Sequence, residues 1–100
     1  MNRLTKRLTD LKKQNKKALV AYLVAGDPDI ETTLQLMQLF IESGVDVIEI
    51  GVPFTDPIAE GPIIQKAHDR ALEKNISLTA IFEMVQKFRE TDDTTPIVLM

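Results

Sequence analysis

Four carboxylates stand where this chain could use them for chemistry. Glu49 lies inside the apolar run VIEIGV at 47–52. Asp27 follows another apolar run at 18–24, and Asp56 and Glu60 lie in the turn-rich segment GVPFTDPIAEGP at 51–62. A carboxylate within an apolar run is costly to bury unless it is paired or used. Used, it is a general acid or base held in a low-dielectric setting. Two readings of Glu49 stand side by side: a catalytic group, or a structural carboxylate bonded to backbone amides or a neighbouring Arg. The 51–62 segment favours the first, because Gly51, Pro53, Pro57, Gly61 and Pro62 restrict its backbone, and long loops in compact β/α units usually carry function. Its acids have an ordinary reading too: they keep a surface loop soluble, and Asp56 is a turn residue before Pro57.

The remaining candidates are weaker. His68, the only histidine, lies on a polar helical face between Ala67 and Asp69 and reads as solvated. Lys66 and Arg70 read as surface charges beside Asp69 and Glu73. One histidine and no cysteine exclude multi-His and Cys-based metal sites and disulfides. No Gly-rich phosphate loop occurs.

The elements that must position these residues alternate. A helix over 1–17 sets Leu4, Leu8 and Leu11 on one face and Lys and Arg on the others. Residues 18–24 (ALVAYLV) read as a strand buried on both faces, as parallel sheets require. Asp29 is placed to N-cap a helix that carries Ile30, Leu34, Met37, Phe40 and Ile41 and stops at Gly44. Residues 45–50 (VDVIEI) form a second strand, with Val47, Glu49 and Gly51 on one face and Ile48 and Ile50 on the other. Two helices follow. The first spans 63–74 with Ile64, Ala67, Ala71 and Leu72; the second runs from Leu78 to Arg89 behind Ser77, with Leu78, Ile81, Phe82, Val85 and Phe88 as its buried stripe. TDDTTP at 91–96 is a polar turn, and PIVLM at 96–100 begins a third strand. Strands each followed by helix specify α/β architecture with a parallel sheet, whose ligands sit at the carboxyl ends of the strands. A complete (β/α)8 barrel needs about 250 residues, so residues 1–100 are expected to be its first β/α units, within a single barrel domain that is incomplete after the third strand. A small three-layer α/β domain is the structural alternative.

Composition bounds the partners. The net charge of −3 is uneven: residues 1–17 hold seven of the twelve Lys/Arg and one acid, while the rest holds five bases and fourteen acids. Nucleic-acid binding through the basic segment is disfavoured by the acidic remainder. A transit peptide is disfavoured by its Lys-rich, Ser-free content. No apolar run approaches the roughly 18 residues of a membrane span, and a cytoplasmic location is expected.

VAYLVAGDPD at 20–29 followed by DVIEIGVPFTDPIAEGPIIQKA at 46–67 closely resembles the α subunit of tryptophan synthase, and PIVLM at 96–100 resembles that family's third strand. The resemblance covers the chain from residue 18, and helix 1–17 fits the extra helix that caps the barrel floor there. It implies a TIM barrel and a lyase that cleaves indole-3-glycerol phosphate into indole and glyceraldehyde 3-phosphate, in the biosynthesis of tryptophan. It implies no cofactor in this subunit, and a PLP-dependent β subunit as partner in an α2β2 tetramer. By family match Glu49 is the acid/base that works on indole C3 and the glycerol hydroxyl, and the residue at position 60 interacts with the ring N–H. Tyr22 and Met100 match positions that line the indole pocket, where the family often has Phe and Leu. Pro53, Phe54, Asp56 and Pro57 match the loop that faces the β subunit. Glu60 departs from the family's usual Asp; the added methylene moves the carboxylate by roughly 1–1.5 Å, a displacement of the order that costs about a hundredfold in rate unless the loop adjusts. Phosphate commonly binds after strands 7–8 of such barrels, beyond Met100, so residues 1–100 alone are expected to be inactive. A non-catalytic module on the same fold, docking a protein through the 51–62 loop, is the alternative.

Overall fold

Asn2 starts the first helix: its side-chain carbonyl accepts from the Thr5 amide at 2.8 Å, and α1 runs Arg3–Lys13. It is shorter than the expected 1–17 because Asn15 takes the left-handed conformation, φ 56, and turns the chain out of the helix. Then follow β1 (Val20–Val24), α2 (Ile30–Glu42), β2 (Val47–Gly51), α3 (Pro62–Glu73), α4 (Leu78–Arg89) and β3 (Ile97–Leu99). The computed structural model describes residues 2–53, 61–73 and 76–100.

The expected caps are in place. Asp29 accepts from the Thr32 amide at 2.7 Å and Ser77 from the Ala80 amide at 3.1 Å. Gly44, with φ 91, releases the chain after α2, a conformation that a Cβ would disfavour.

The three strands form one parallel sheet in the order β1-β2-β3. Alternation along each strand then sorts the sheet into two faces. Leu23, Ile48 and Ile50 turn to α2 and α4 and build the core with Met37, Ile81, Met84 and Phe88. Tyr22, Glu49 and Val98, partners in register, share the opposite face. The buried line of α4 is Ile81, Met84 and Phe88. Leu78 and Phe82, expected in that stripe, are half exposed: Leu78 sits in the first turn and Phe82 one position round the helix from Ile81, at the margin of the contact.

α1 is fastened across the N-terminal ends of the strands. Arg3 donates to the Asp93 carboxylate at 2.9 Å, just ahead of β3. Arg7 lies 3.6 Å from the carboxylate of Asp46, which also accepts from the Leu19 amide at 2.8 Å. These contacts tie the helix to the entries of all three strands, at the end opposite the sites of β/α folds. No helix among the described residues is long and apolar enough to cross a membrane.

The turn into β3 is held by one carboxylate. Asp92 accepts from the Thr94 and Thr95 amides at 3.0 and 2.8 Å and from the Thr95 hydroxyl at 2.8 Å, while Arg89 donates to the Thr95 carbonyl at 2.7 Å. Burial works to raise the Asp92 pKa, but the bonds from Thr95 and Thr94 and the Arg89 charge outweigh it and hold the carboxyl below its ordinary value. A carboxyl with a depressed folded-state pKa stabilises the fold at pH above its unfolded value of about 3.9, and that contribution is lost as pH falls through the folded value. In the full-length protein, Asp92→Ala is therefore expected to cost about 1–3 kcal/mol at pH 7. The gap from wild type should narrow as pH falls below about 4, as read from urea midpoints across pH. A gap that stays constant down to pH 2 would contradict the assignment.

Candidate active site at the strand ends

Glu49 is the only residue of β2 that is not fully buried. β2 is the central strand, so Glu49 is flanked in register by Tyr22 on β1 and Val98 on β3. Its position near the carboxyl end of the strand puts an ionisable group where β/α folds bind ligands. The helix-covered core lies behind the sheet, on the face of Ile48 and Ile50.

Tyr22 reaches from β1 across to the end of β2. A Cβ added to Gly51 would fall on the Tyr22 hydroxyl and within 2.8 Å of the ring carbon Cζ. The backbone of Gly51 has an ordinary φ, so glycine is needed there for space and not for conformation. The Tyr22 hydroxyl also lies 3.5 Å from His68 Nε2 on α3.

α3 approaches this closely because its facing residues are small. Ala67 and Ala71 pack with Val24, and Tyr22, Ile64 and Ile76 complete that cluster. The same face carries His68 inward to 6% exposure. This corrects the expectation of a solvated histidine: local polarity placed His68 outside, but the Ala67/Ala71 stripe beside it is the face that meets β1. The one sequence signal that could have found it is that pair of alanines four apart, which admits close approach of a helix.

Arg70 also differs from expectation. It makes a two-pronged pair with Asp27 in the turn after β1, Nε to Oδ1 at 2.6 Å and Nη2 to Oδ2 at 2.9 Å. Hydrogen bonding to the Asp27 carboxylate, with that carboxylate's charge, raises the Arg70 pKa against the opposing effect of desolvation. The pair joins α3 to the β1 exit across 43 positions, which no helical periodicity could reveal.

Of the other expected site residues, Met100 continues the β2–β3 ladder. Its amide donates to the Ile50 carbonyl at 2.9 Å, and its carbonyl accepts from the Val52 amide at 2.9 Å. Alternation from Val98 places it on the face of Glu49 and Tyr22. Pro53 is half-buried just past β2. Phe54, Asp56, Pro57 and Glu60 lie outside the described residues. Among the described residues no group of three or more His, Cys, Asp or Glu could hold a metal ion.

Parallel strands with α2 and α4 on one face, and with Glu49, Tyr22 and the packed α3 on the other, fit part of a β/α barrel. The sequence profile described as tryptophan synthase alpha chain matches residues 8–100, and the chain belongs to that family. It is 52% identical over 100 residues to the tryptophan synthase alpha chain of Leptothrix cholodnii, covering all of this chain and 37% of the relative. It is 57% identical over 84 residues to that of Neisseria meningitidis serogroup B, covering 84% of this chain and 32% of the relative. The crystal structure of tryptophan synthase subunit alpha from Legionella pneumophila superposes with a TM-score of 0.97 at 50% identity, over all of this chain and 38% of that one. A tryptophan synthase complex from Pyrococcus furiosus matches with a TM-score of 0.77 at 46% identity, over 83% of this chain and 34% of that one. The chain thus spans about a third of the length of the curated relatives it matches.

Proposed function

We propose that the full-length protein containing these residues is a lyase that cleaves indole-3-glycerol phosphate to indole and glyceraldehyde 3-phosphate in tryptophan biosynthesis. The observation that carries the reading is the placement of Glu49 at the carboxyl end of the central strand, in register with Tyr22, in a chain of this family. The reaction is a retro-aldol cleavage. It needs a proton delivered to indole C3, a proton removed from a glycerol hydroxyl, and stabilisation of the positive charge that develops at the ring nitrogen. Glu49 serves as the acid/base at C3 and at the hydroxyl. Glu60 serves the ring N–H, and the Tyr22 ring and Met100 flank the indole. This subunit uses no cofactor of its own.

The partner in this reading is a PLP-dependent β subunit, met through the loop of Pro53, Phe54, Asp56 and Pro57 in an α2β2 tetramer. Support comes from Pyrococcus furiosus, whose tryptophan synthase is described as an α2β2 complex with mutual activation. The protein acts in the cytoplasm.

The test is indole release from indole-3-glycerol phosphate by the purified full-length protein, with and without a β subunit. Glu60→Asp is expected to keep or raise kcat, because it shortens the side chain to the family's usual length at this position. A protein that docks a β subunit but releases no indole, with either residue at 60, would replace the lyase by the non-catalytic docking module.

A further inference from the structure

The lyase reading uses Glu49, Glu60, Tyr22 and Met100, and gives no role to a histidine that the fold turns inward. His68 is 6% exposed, on the face of α3 that meets β1. Its Nε2 faces the Tyr22 hydroxyl at 3.5 Å, at the long end of hydrogen-bonding distance. The helix that carries it is held in place independently of that contact. Ala67 and Ala71 pack against the β1 side of the cluster, and Arg70 grips Asp27 at 2.6 and 2.9 Å. His68 is therefore presented to Tyr22 from a fixed platform. The Tyr22 ring has little other freedom, since it lies against the open side of Gly51 with Cζ only 2.8 Å from where a Cβ would be. A ring wedged between a glycine backbone and an imidazole has its height above the sheet set by both. Tyr22 is the in-register neighbour of Glu49, so that height sets the room left for a ligand's ring beside the carboxylate.

We propose that His68 is a positioning residue: through the Tyr22 hydroxyl it holds the Tyr22 ring down on Gly51 and so fixes the depth of the aromatic side of the pocket beside Glu49. The role rests on the reading of the pocket as an indole site. It acts on binding, not on proton transfer, so its loss should appear mainly in KM.

The experiment uses the full-length protein with indole-3-glycerol phosphate, comparing wild type, His68→Leu, His68→Gln, Tyr22→Phe and the His68→Leu/Tyr22→Phe double variant. His68→Leu keeps the bulk and removes the contact, and should raise KM about tenfold, the scale of one lost hydrogen bond. The larger part of its loss in kcat/KM should fall on KM. Tyr22→Phe should do the same, and the double variant should be no worse than the poorer single one, because both remove one contact. His68→Gln, whose amide nitrogen stands close to the position of Nε2, should recover most of the loss. Losses that multiply in the double variant, or an unchanged KM in His68→Leu, would overturn the role while leaving the lyase reading intact. A wild-type protein without turnover would overturn the lyase reading instead. Urea unfolding of the same four variants then decides the His68–Tyr22 contact without substrate: coupled costs support it, and additive costs refute it.

Discussion

Glu49→Gln in the full-length protein is expected to lower kcat for indole release by about 10²–10⁴-fold or more, with KM changed little. The size follows from the number of steps that one carboxylate serves. In the proposed reaction it delivers a proton to indole C3 and takes one from the glycerol hydroxyl, and an amide can do neither. Gln matches Glu in length and shape, so the packing around the side chain survives, and ground-state contacts that depend on shape survive with it. Stability should not fall. Glu49 is half-buried between the buried residues Ile48 and Ile50, and removing a charge from such a setting relieves desolvation. Loss of turnover with an unchanged urea midpoint would therefore separate chemistry from folding. Near-normal kcat in Glu49→Gln would remove the residue from the mechanism and return it to the structural reading that its apolar surroundings also allow.

The sequence carried the parts of this site that are set locally. The alternation in VIEIG put Glu49 and Gly51 opposite Ile48 and Ile50, and the sheet keeps that sorting. The caps at Asp29 and Ser77 were legible because each depends on an amide three residues away. What was not legible depends on residues far apart in the chain. His68 and Tyr22 are 46 positions apart, and Arg70 and Asp27 are 43 apart. Beside Asp69 in the chain, His68 reads as polar surface. Ile64 and Ala71, four before and three after it, nevertheless share its face, and the position of β1 makes that face the inner one. The width of the α4 stripe was overread for a related reason. Apolar character at Leu78 and Phe82 says that they can be buried, and what lies opposite says whether they are.

Gly51 gives the second large effect. Gly51→Ala is expected to destabilise the full-length protein by about 1–3 kcal/mol, the usual cost of forcing an extra methyl into a packed site. It should also lower kcat/KM by about a hundredfold, as displacements near 1 Å can do at a site. The backbone at Gly51 accepts any residue by conformation, so the whole effect must come from what the methyl meets. It meets the Tyr22 ring at the hydroxyl and at Cζ, the latter at 2.8 Å. The strand cannot yield easily: Gly51 is buried at the end of the central strand, and its carbonyl accepts from the Ala25 amide at 3.0 Å. The ring must then rise, into the space beside Glu49. A second substitution isolates this cause. Tyr22→Leu withdraws the ring atoms that clash, so adding Gly51→Ala to Tyr22→Leu should cost much less than adding it to wild type, in both urea midpoint and kcat/KM. Equal costs in the two backgrounds would show that the methyl is resisted by something other than Tyr22, and that the ring's seat on the glycine does not shape the pocket.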